Sequence, residues 1–321
     1  MNPPSLAELV EAALLSSGVS KSEPLLLGFS GGRDSVTLLE LLLESGFTNI
    51  ALAHLDHGLR PESADDAAWV RQQAAARGLP STIARVDVSS GAAPRHTGIE
   101  QASREARLAF FASCARTHGT NKSVLAHHAD DQVETLLFRL LRGAGSLGLG
   151  GMPPSTTYTV QGQSLLLLRP MLGIWRAQVD AHIQAHQLDF REDASNAQTD
   201  FTRNRIRHLL LPELEKAMER PVRETLWRTA ELLRAESEYI DQAERALPSL
   251  DWNLDAHLLK SLPLALRRRR VARWLAEQGV SNISFELVES VAGLATSTLP
   301  AKVNLPGGRH ARRKAGLIFC E

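Results

Sequence analysis

Apolar and polar positions change period several times along the 321 residues, and those changes mark the elements. Residues 25–27 form an apolar run and residues 36–43 are apolar at nearly every place, which predicts a buried strand followed at once by a buried helix. The order repeats. Strands are predicted at 49–54, 82–88 and 123–128, with helices over 62–78, over 98–111 and from Asp130 through Leu141. Strands that alternate with helices of this length predict a mostly parallel sheet covered on both faces. An opening helix over 1–18 sets Leu6, Leu9, Val10 and Leu14 on one side.

Residues 158–169 predict a hairpin that turns at Gln161-Gly162-Gln163, and residues 175–186 and 202–211 predict helices. Pro212 and Pro221 bracket a boundary. Beyond it, residues 222–247 place Leu226, Leu233, Ile240 and Leu247 seven apart, a seam that packs against neighbours rather than a cofactor site. A helix over 264–275 has Leu266, Val271, Trp274 and Leu275 on its apolar face, and residues 303–319 read as a closing hairpin. The fold class is α/β: a doubly wound, mostly parallel sheet over residues 1–212, then a smaller, mainly helical, basic domain over 213–321.

Charge sharpens this division. The chain holds 36 Lys and Arg against 36 Asp and Glu, yet the acidic excess lies in residues 1–200 and the basic excess in 201–321. Basic side chains gathered on one part of a chain are an electrostatic footprint for a polyanion. Two cysteines, Cys114 and Cys320, form neither a C-x-x-C nor a disulfide framework, which fits a reducing cytoplasm. The first 22 residues carry Glu8 and Glu11 and do not read as a signal peptide, and no apolar run nears the ~20 residues needed to span a membrane.

Candidate chemistry begins where the first strand meets the first long helix, at Ser30-Gly31-Gly32-Arg33-Asp34-Ser35. The first N–H groups of a helix have no intrahelical partner, and the helix dipole places positive charge there. Glycines let the backbone approach phosphate oxygens, Ser30 and Ser35 offer hydroxyls, and Arg33 adds charge. A carboxylate at Asp34 repels a bare phosphate and fits if a divalent cation lies between them. Asp130-Asp131 sits at another strand-to-helix junction, so the same crevice can collect Asp34 and one of this pair around magnesium. His54-Leu55-Asp56-His57 is a weaker metal candidate. Arg104 and Arg107 share a helix face and suit a phosphate or RNA clamp, whereas Arg203, Arg205 and Arg207 are spread around their helix. Residues 142–152 are too rich in glycine for regular structure and read as a flexible active-site loop.

The strand, Ser-Gly-Gly-x-Asp-Ser and helix resemble the signature of PP-loop ATP pyrophosphatases, which split ATP into AMP and pyrophosphate. Further blocks narrow the likeness: His54-Leu55-Asp56-His57-Gly58-Leu59, Gly98-Ile99-Glu100 through Arg107, His128-Ala129-Asp130-Asp131-Gln132-Val133-Glu134-Thr135, Arg142-Gly143-Ala144-Gly145 and Arg203-Asn204-Arg205-Ile206-Arg207. Their order resembles that of tRNA(Ile)-lysidine synthetases, closely over residues 24–215 and loosely over 216–321. Leu108 departs from the aromatic residue common there, and the chain stops before the extra C-terminal domain of longer members.

The resemblance implies a ligase. ATP adenylates the 2-oxo group of the wobble cytidine in a CAU anticodon, and lysine then displaces AMP through its side-chain amine. It implies that Ser30, Gly31, Gly32, Arg33, Asp34 and Ser35 bind ATP, that Asp34 with Asp131 or Asp130 holds Mg2+, and that Asp34, Asp131, Arg104 and Arg205 serve catalysis. Asp131 or Glu134 is a candidate to assist deprotonation of the amine. Arg107, Arg203, Arg207, Arg267, Arg270, Arg312 and Arg313 are candidate tRNA contacts. The expected partners are tRNA(Ile), L-lysine and a second copy of the chain, with no membrane. Rival readings are a tRNA thiolase or an NAD synthetase-like ligase on the same fold, a metal-dependent phosphoesterase using the histidines and aspartates, and an ATP-binding sensor.

Overall fold

A computed structural model describes residues 3–56, 63–86, 96–191, 202–250, 252–297 and 301–321. His57, Gly58 and Leu59 lie outside the described residues. The chain divides into two compact units: residues 1–142 with 151–230, and residues 143–150 with 231–321.

The first unit opens with α1 (Leu6–Ser16), β1 (Leu25–Gly28), α2 (Arg33–Glu44), β2 (Ile50–Asp56), α3 (Ser63–Ala76), β3 (Ser81–Arg85), α4 (His96–Thr117), β4 (Lys122–Val124) and α5 (Ala129–Leu140). After α6 (Ser146–Leu149), which belongs to the second unit, come β5 (Ser155–Val160), β6 (Gln163–Leu168) and α7 (Arg176–His186). Six strands lie in the order β3-β2-β1-β4-β6-β5, parallel throughout except for the β5–β6 hairpin. Both faces are apolar, as the sequence period requires. Leu25 and Leu27 of β1 face a core with Val10, Leu38, Leu42 and Val179, while Leu26 faces another with Phe111, Cys114 and Ala115 from α4. The strand order reverses between β1 and β4, which makes the gap beyond their carboxyl ends the natural ligand crevice.

The helix expected over 202–211 is longer and irregular. It runs as α8 (Thr202–Arg205), a π turn (Ile206–Leu210) and α9 (Leu211–Met218). Pro212 therefore does not end it. Proline lacks an N–H and clashes with the carbonyl four residues back, and the π turn before it opens the ladder where Leu211 N–H bonds Ile206 carbonyl. The next helix, α10 (Arg223–Arg245), contains the division between the units, at Ala230. Its heptad seam consequently serves two cores: Leu226 packs with Val133 and Ile206, and Leu247, just past the helix, with Trp274 and Val291.

The second unit adds β7 (Leu254–Asp255), α11 (Ala256–Ser261), α12 (Leu264–Glu277), α13 (Phe285–Thr296), β8 (Lys302–Asn304), β9 (His310–Lys314) and β10 (Leu317–Cys320). The closing hairpin is β9–β10, and it sits in a four-stranded antiparallel sheet, β7-β10-β9-β8, rather than alone. The glycine-rich segment is not simply a loop either. It contains α6, and Gly150 lies so close to the α10 backbone that an added Cβ would meet Arg234 Cα at 2.9 Å. Among the described residues, no helix is long and apolar enough to cross a membrane.

Candidate active site

β1 delivers the chain to Phe29 and the loop, and α2 starts at Arg33 with Gly32 as its N-cap. No side chain caps that end, which leaves first-turn amides of α2 open to an anion. The loop is braced from within. Gly31 N–H donates to Ser35 Oγ at 3.1 Å, Gly32 N–H to Ser30 Oγ at 3.2 Å, and Ser35 Oγ to Gly32 carbonyl at 2.9 Å. Ser35 is buried and its hydroxyl is spent on the turn, so it shapes the cradle rather than offering a free donor to phosphate. Gly31 has φ +84°, and a Cβ there would press to 3.1 Å from Trp69, so both backbone angle and space call for glycine. Phe29 carbonyl bonds His54 Nδ1 at 2.9 Å, which gives buried His54 a role in holding the loop.

Three helix N-termini meet at the crevice. Asp34 is in the first turn of α2, Asp130 and Asp131 in that of α5, and Arg176 in that of α7. Arg176 Nη1 donates to both carboxylate oxygens of Asp34, at 2.7 and 3.0 Å. His128 Nε2 lies 3.9 Å from Asp34 Oδ2 and 3.6 Å from Asp131 Oδ2 and so spans the two carboxylates. Burial raises the Asp34 carboxyl above its ordinary value and the charge of Asp131 adds to this, against the pull of His128 and Arg176. Asp131 is the opposite case. Burial would raise it, but His128, His127, the His128 backbone N–H and Arg207 hold it below the usual carboxylate range.

The two adjacent aspartates have parted roles. Asp130 accepts the Arg176 backbone N–H at 2.9 Å, capping α7, and pairs with Arg223 at 3.1 Å. Asp131 faces Asp34. His128 Nε2 thus sits between Asp34 and Asp131, while Asp130 is turned to Arg176 and Arg223.

Arg207 reaches this cluster as well, donating to Glu134 at 2.5 and 3.1 Å and to Asp131 at 3.3 Å. It was expected to meet RNA; its guanidinium is instead committed to two acids inside the crevice. Arg205, expected there, is exposed and bonds Thr202 Oγ1 at 3.1 Å. Burial raises the Glu134 carboxyl despite its Arg207 partner. Arg33 turns from the cradle to α7, where it pairs with Asp180 at 2.9 Å and covers the ring of Phe190.

Beside the crevice stands a group of cations that residue spacing only partly revealed. Arg104 donates to Tyr158 Oη at 2.8 Å, Arg139 to Gly151 carbonyl at 2.6 Å, and Arg169 to Pro153 carbonyl and Thr156 Oγ1, each at 3.0 Å. Among the described residues, neither Arg107 nor Arg203 makes a hydrogen bond or ion pair. Desolvation, with Arg203 and Arg104 nearby, lowers Arg107, and desolvation lowers Arg139 and Arg169 too. Burial also holds the His127 imidazole down to about 4, against the charge of Asp131. Such crowding is relieved by an anion.

Several expected RNA contacts in the second unit are occupied otherwise. Arg270 is buried, paired with Glu244 at 2.8 Å and bonded to Ser249 carbonyl at 3.1 Å. Arg267 donates to the carbonyls of Leu259, Lys260 and Leu262 and so closes the C-terminus of α11. Arg313 donates to Leu294 carbonyl, while exposed Arg312 pairs with Glu321. An arginine run on an amphipathic helix does not say which members point inward. Conversely, sequence reading passed over Arg176, although a cation in the first turn of a helix opposes the dipole and asks for a nearby anion.

Comparisons with known proteins bear on the fold and the family. A PP-loop domain model matches residues 5–214, and a TilS substrate binding domain model matches residues 254–319. The tRNA(Ile)-lysidine synthase of Solibacter usitatus is 38% identical over 292 residues, covering 88% of this chain and 63% of that protein. That of Gloeobacter violaceus is 38% identical over 278 residues, covering 84% of this chain and 82% of that protein. The chain spans 63%, 60% and 47% of the length of three such relatives. In three dimensions it is similar to the U34-tRNA thiolase NcsA from Methanococcus maripaludis, with TM-score 0.54, 15% identity and coverage of 71% of this chain and 78% of that one, a likeness of fold alone. With the uncapped glycine cradle, the paired aspartates and both family domains found in one chain, this protein belongs to the tRNA(Ile)-lysidine synthase family.

Proposed function

We propose that the chain is an ATP-dependent ligase that joins lysine, through its side-chain amine, to C2 of the wobble cytidine in the CAU anticodon of tRNA(Ile). The observation that carries this reading is the open N-terminus of α2 facing Asp34 and Asp131, in a chain of this family. The cytidine 2-oxo group attacks the α-phosphorus of ATP and pyrophosphate departs. The lysine amine then attacks C2, AMP leaves with the former oxo oxygen, and the amine gives up its proton.

The residues divide this work. First-turn amides of α2 with Ser30, Gly31 and Gly32 hold the phosphates that leave, and braced donors stabilise that charge without reorganising. The donor set of Asp34 and Asp131 fits Mg2+: two carboxylates face one another at a raised Asp34, a repulsion that a divalent cation relieves. When bound, the ion neutralises charge developing on the phosphates. Glu134 and Asp131, held by Arg207, lie where an ammonium group can be bound and deprotonated. Arg104, Arg107, Arg139, Arg169 and Arg203 supply positive charge for the RNA backbone. On this reading the first unit catalyses the reaction in the cytoplasm, the second helps hold the tRNA, and two copies can form a homodimer.

A sulfur-transferring reaction is disfavoured by the cysteines. Cys114 is buried, with its thiol pushed up to about 11, and a thiol so held is not a thiolate at neutral pH. Cys320 is its sole companion in the sequence, too few for paired-cysteine chemistry.

Pyrophosphate release from ATP by the purified chain, with magnesium, tests the reading. It should require both lysine and a CAU-anticodon tRNA(Ile) transcript for sustained turnover, with labelled lysine becoming attached to the RNA. Release independent of RNA, or inorganic phosphate as the product, would overturn it.

A further inference from the structure

Glu44 ends α2, and His182 and His186 stand four residues apart on α7, the spacing that puts two side chains on one helix face. Glu44 Oε1 lies 3.8 Å from His182 Nε2 and 3.6 Å from His186 Nδ1, and the imidazole rings stack with centroids 4.1 Å apart. One ligand atom from each residue falls within 4.8 Å of the other two. The His182 side chain is 8% exposed, and its Nε2 has no hydrogen-bond partner. That desolvated nitrogen therefore lies unpartnered beside a carboxylate, with the second imidazole stacked on its ring.

We propose that Glu44, His182 and His186 form a binding site for a divalent transition-metal ion of the zinc type, separate from the nucleotide crevice. Two imidazoles and one carboxylate are a donor set for zinc, whereas magnesium prefers oxygen donors and water. Tetrahedral zinc with bonds near 2.0–2.1 Å sets its ligand atoms about 3.3 Å apart, so the His–Glu distances need to close by only a few tenths of an ångström. His186 and Glu44 keep 47% and 37% of their side-chain surface exposed, which leaves an entry path and a fourth position for water.

The site has a mechanical consequence. The N-terminal halves of α2 and α7 are already joined by Arg176–Asp34 and Arg33–Asp180. An ion at Glu44 would join the same helices about 15 Å farther along α2. It would hold α7, and with it Arg176, against the helix that carries Asp34.

Titrating the purified full chain with Zn2+ against a chromogenic chelator tests this, beside His186→Ala and Glu44→Gln variants. Both changes are at partly exposed positions, and thermal melts without metal check that the variants fold. Wild type should bind one equivalent more than His186→Ala, Glu44→Gln should bind that equivalent at least tenfold more weakly, and millimolar Mg2+ should not compete. Zinc should raise the melting temperature of wild type and not of His186→Ala. Equal stoichiometry and affinity in wild type and His186→Ala, or no binding at micromolar Zn2+, would overturn the assignment.

Discussion

Arg176, at the start of α7, donates from one nitrogen to both carboxylate oxygens of Asp34, at the start of α2. The contact ties together two helix N-termini that are 142 residues apart in the chain. It places the cation between two partly positive helix ends, where only the carboxylates of Asp34 and its neighbours make it favourable.

Arg176→Ala should accordingly leave the sheet intact and misplace Asp34. A shift of this kind near reacting groups costs on the order of 10²-fold in rate. Steady-state pyrophosphate release should fall by about that factor, with a thermal melt close to wild type. Asp34→Asn should reduce release at least as far. Near-normal turnover in either variant would remove Asp34 from the reaction.

In the second unit, Glu244 is 2% exposed and accepts from Arg270 at 2.8 Å and Arg273 at 2.7 Å. Burial raises its carboxyl, but the two guanidiniums outweigh this and hold it below the ordinary 4.5. Its stabilising contribution is therefore complete above the unfolded value and is lost as pH falls through the lower folded value. Glu244→Gln should destabilise by about 3–5 kcal/mol, because Arg270 stays buried with its charge uncompensated. Urea unfolding of both proteins from pH 7 to pH 3 should show the gap narrowing at the acid end.

Gly150 and Gly293 give a paired test of packing in the same unit. A Cβ at Gly150 would meet the α10 backbone at 2.9 Å, whereas at Gly293, inside α13, nothing lies within 4 Å. Gly150→Ala should cost about 1–3 kcal/mol from overpacking. Gly293→Ala should stabilise by roughly 0.4–1 kcal/mol by restricting the unfolded chain. Chemical denaturation of the two variants compares them directly.

The cluster around Arg107 makes a prediction about salt. If Arg107 and Arg203 meet RNA phosphates, each alanine variant should reduce the slope of log affinity against log salt by about 0.7–0.9. Fluorescence anisotropy with an anticodon stem-loop measures it. An unchanged slope in both variants would place the RNA elsewhere.

What the sequence by itself determined about this protein is what short-range physics determines. Alternation of apolar runs requires a sheet covered on two faces, and Ser30-Gly31-Gly32 after β1 requires a tight turn into a helix with open amides. Those follow from neighbours within a few residues. The tertiary structure decided which polar side chains share a place. Asp131 faces Asp34 while adjacent Asp130 caps α7, because successive residues on a helix point about 100° apart. Arg207 enters the crevice and Arg205 stays outside it, within a helix that widens into a π turn immediately after Arg205. Arg270 goes inside and Arg273 stays half exposed, though both grip Glu244. Charge and residue type are written locally; the direction a side chain faces depends on what packs against its helix, and that partner is set by contacts far along the chain.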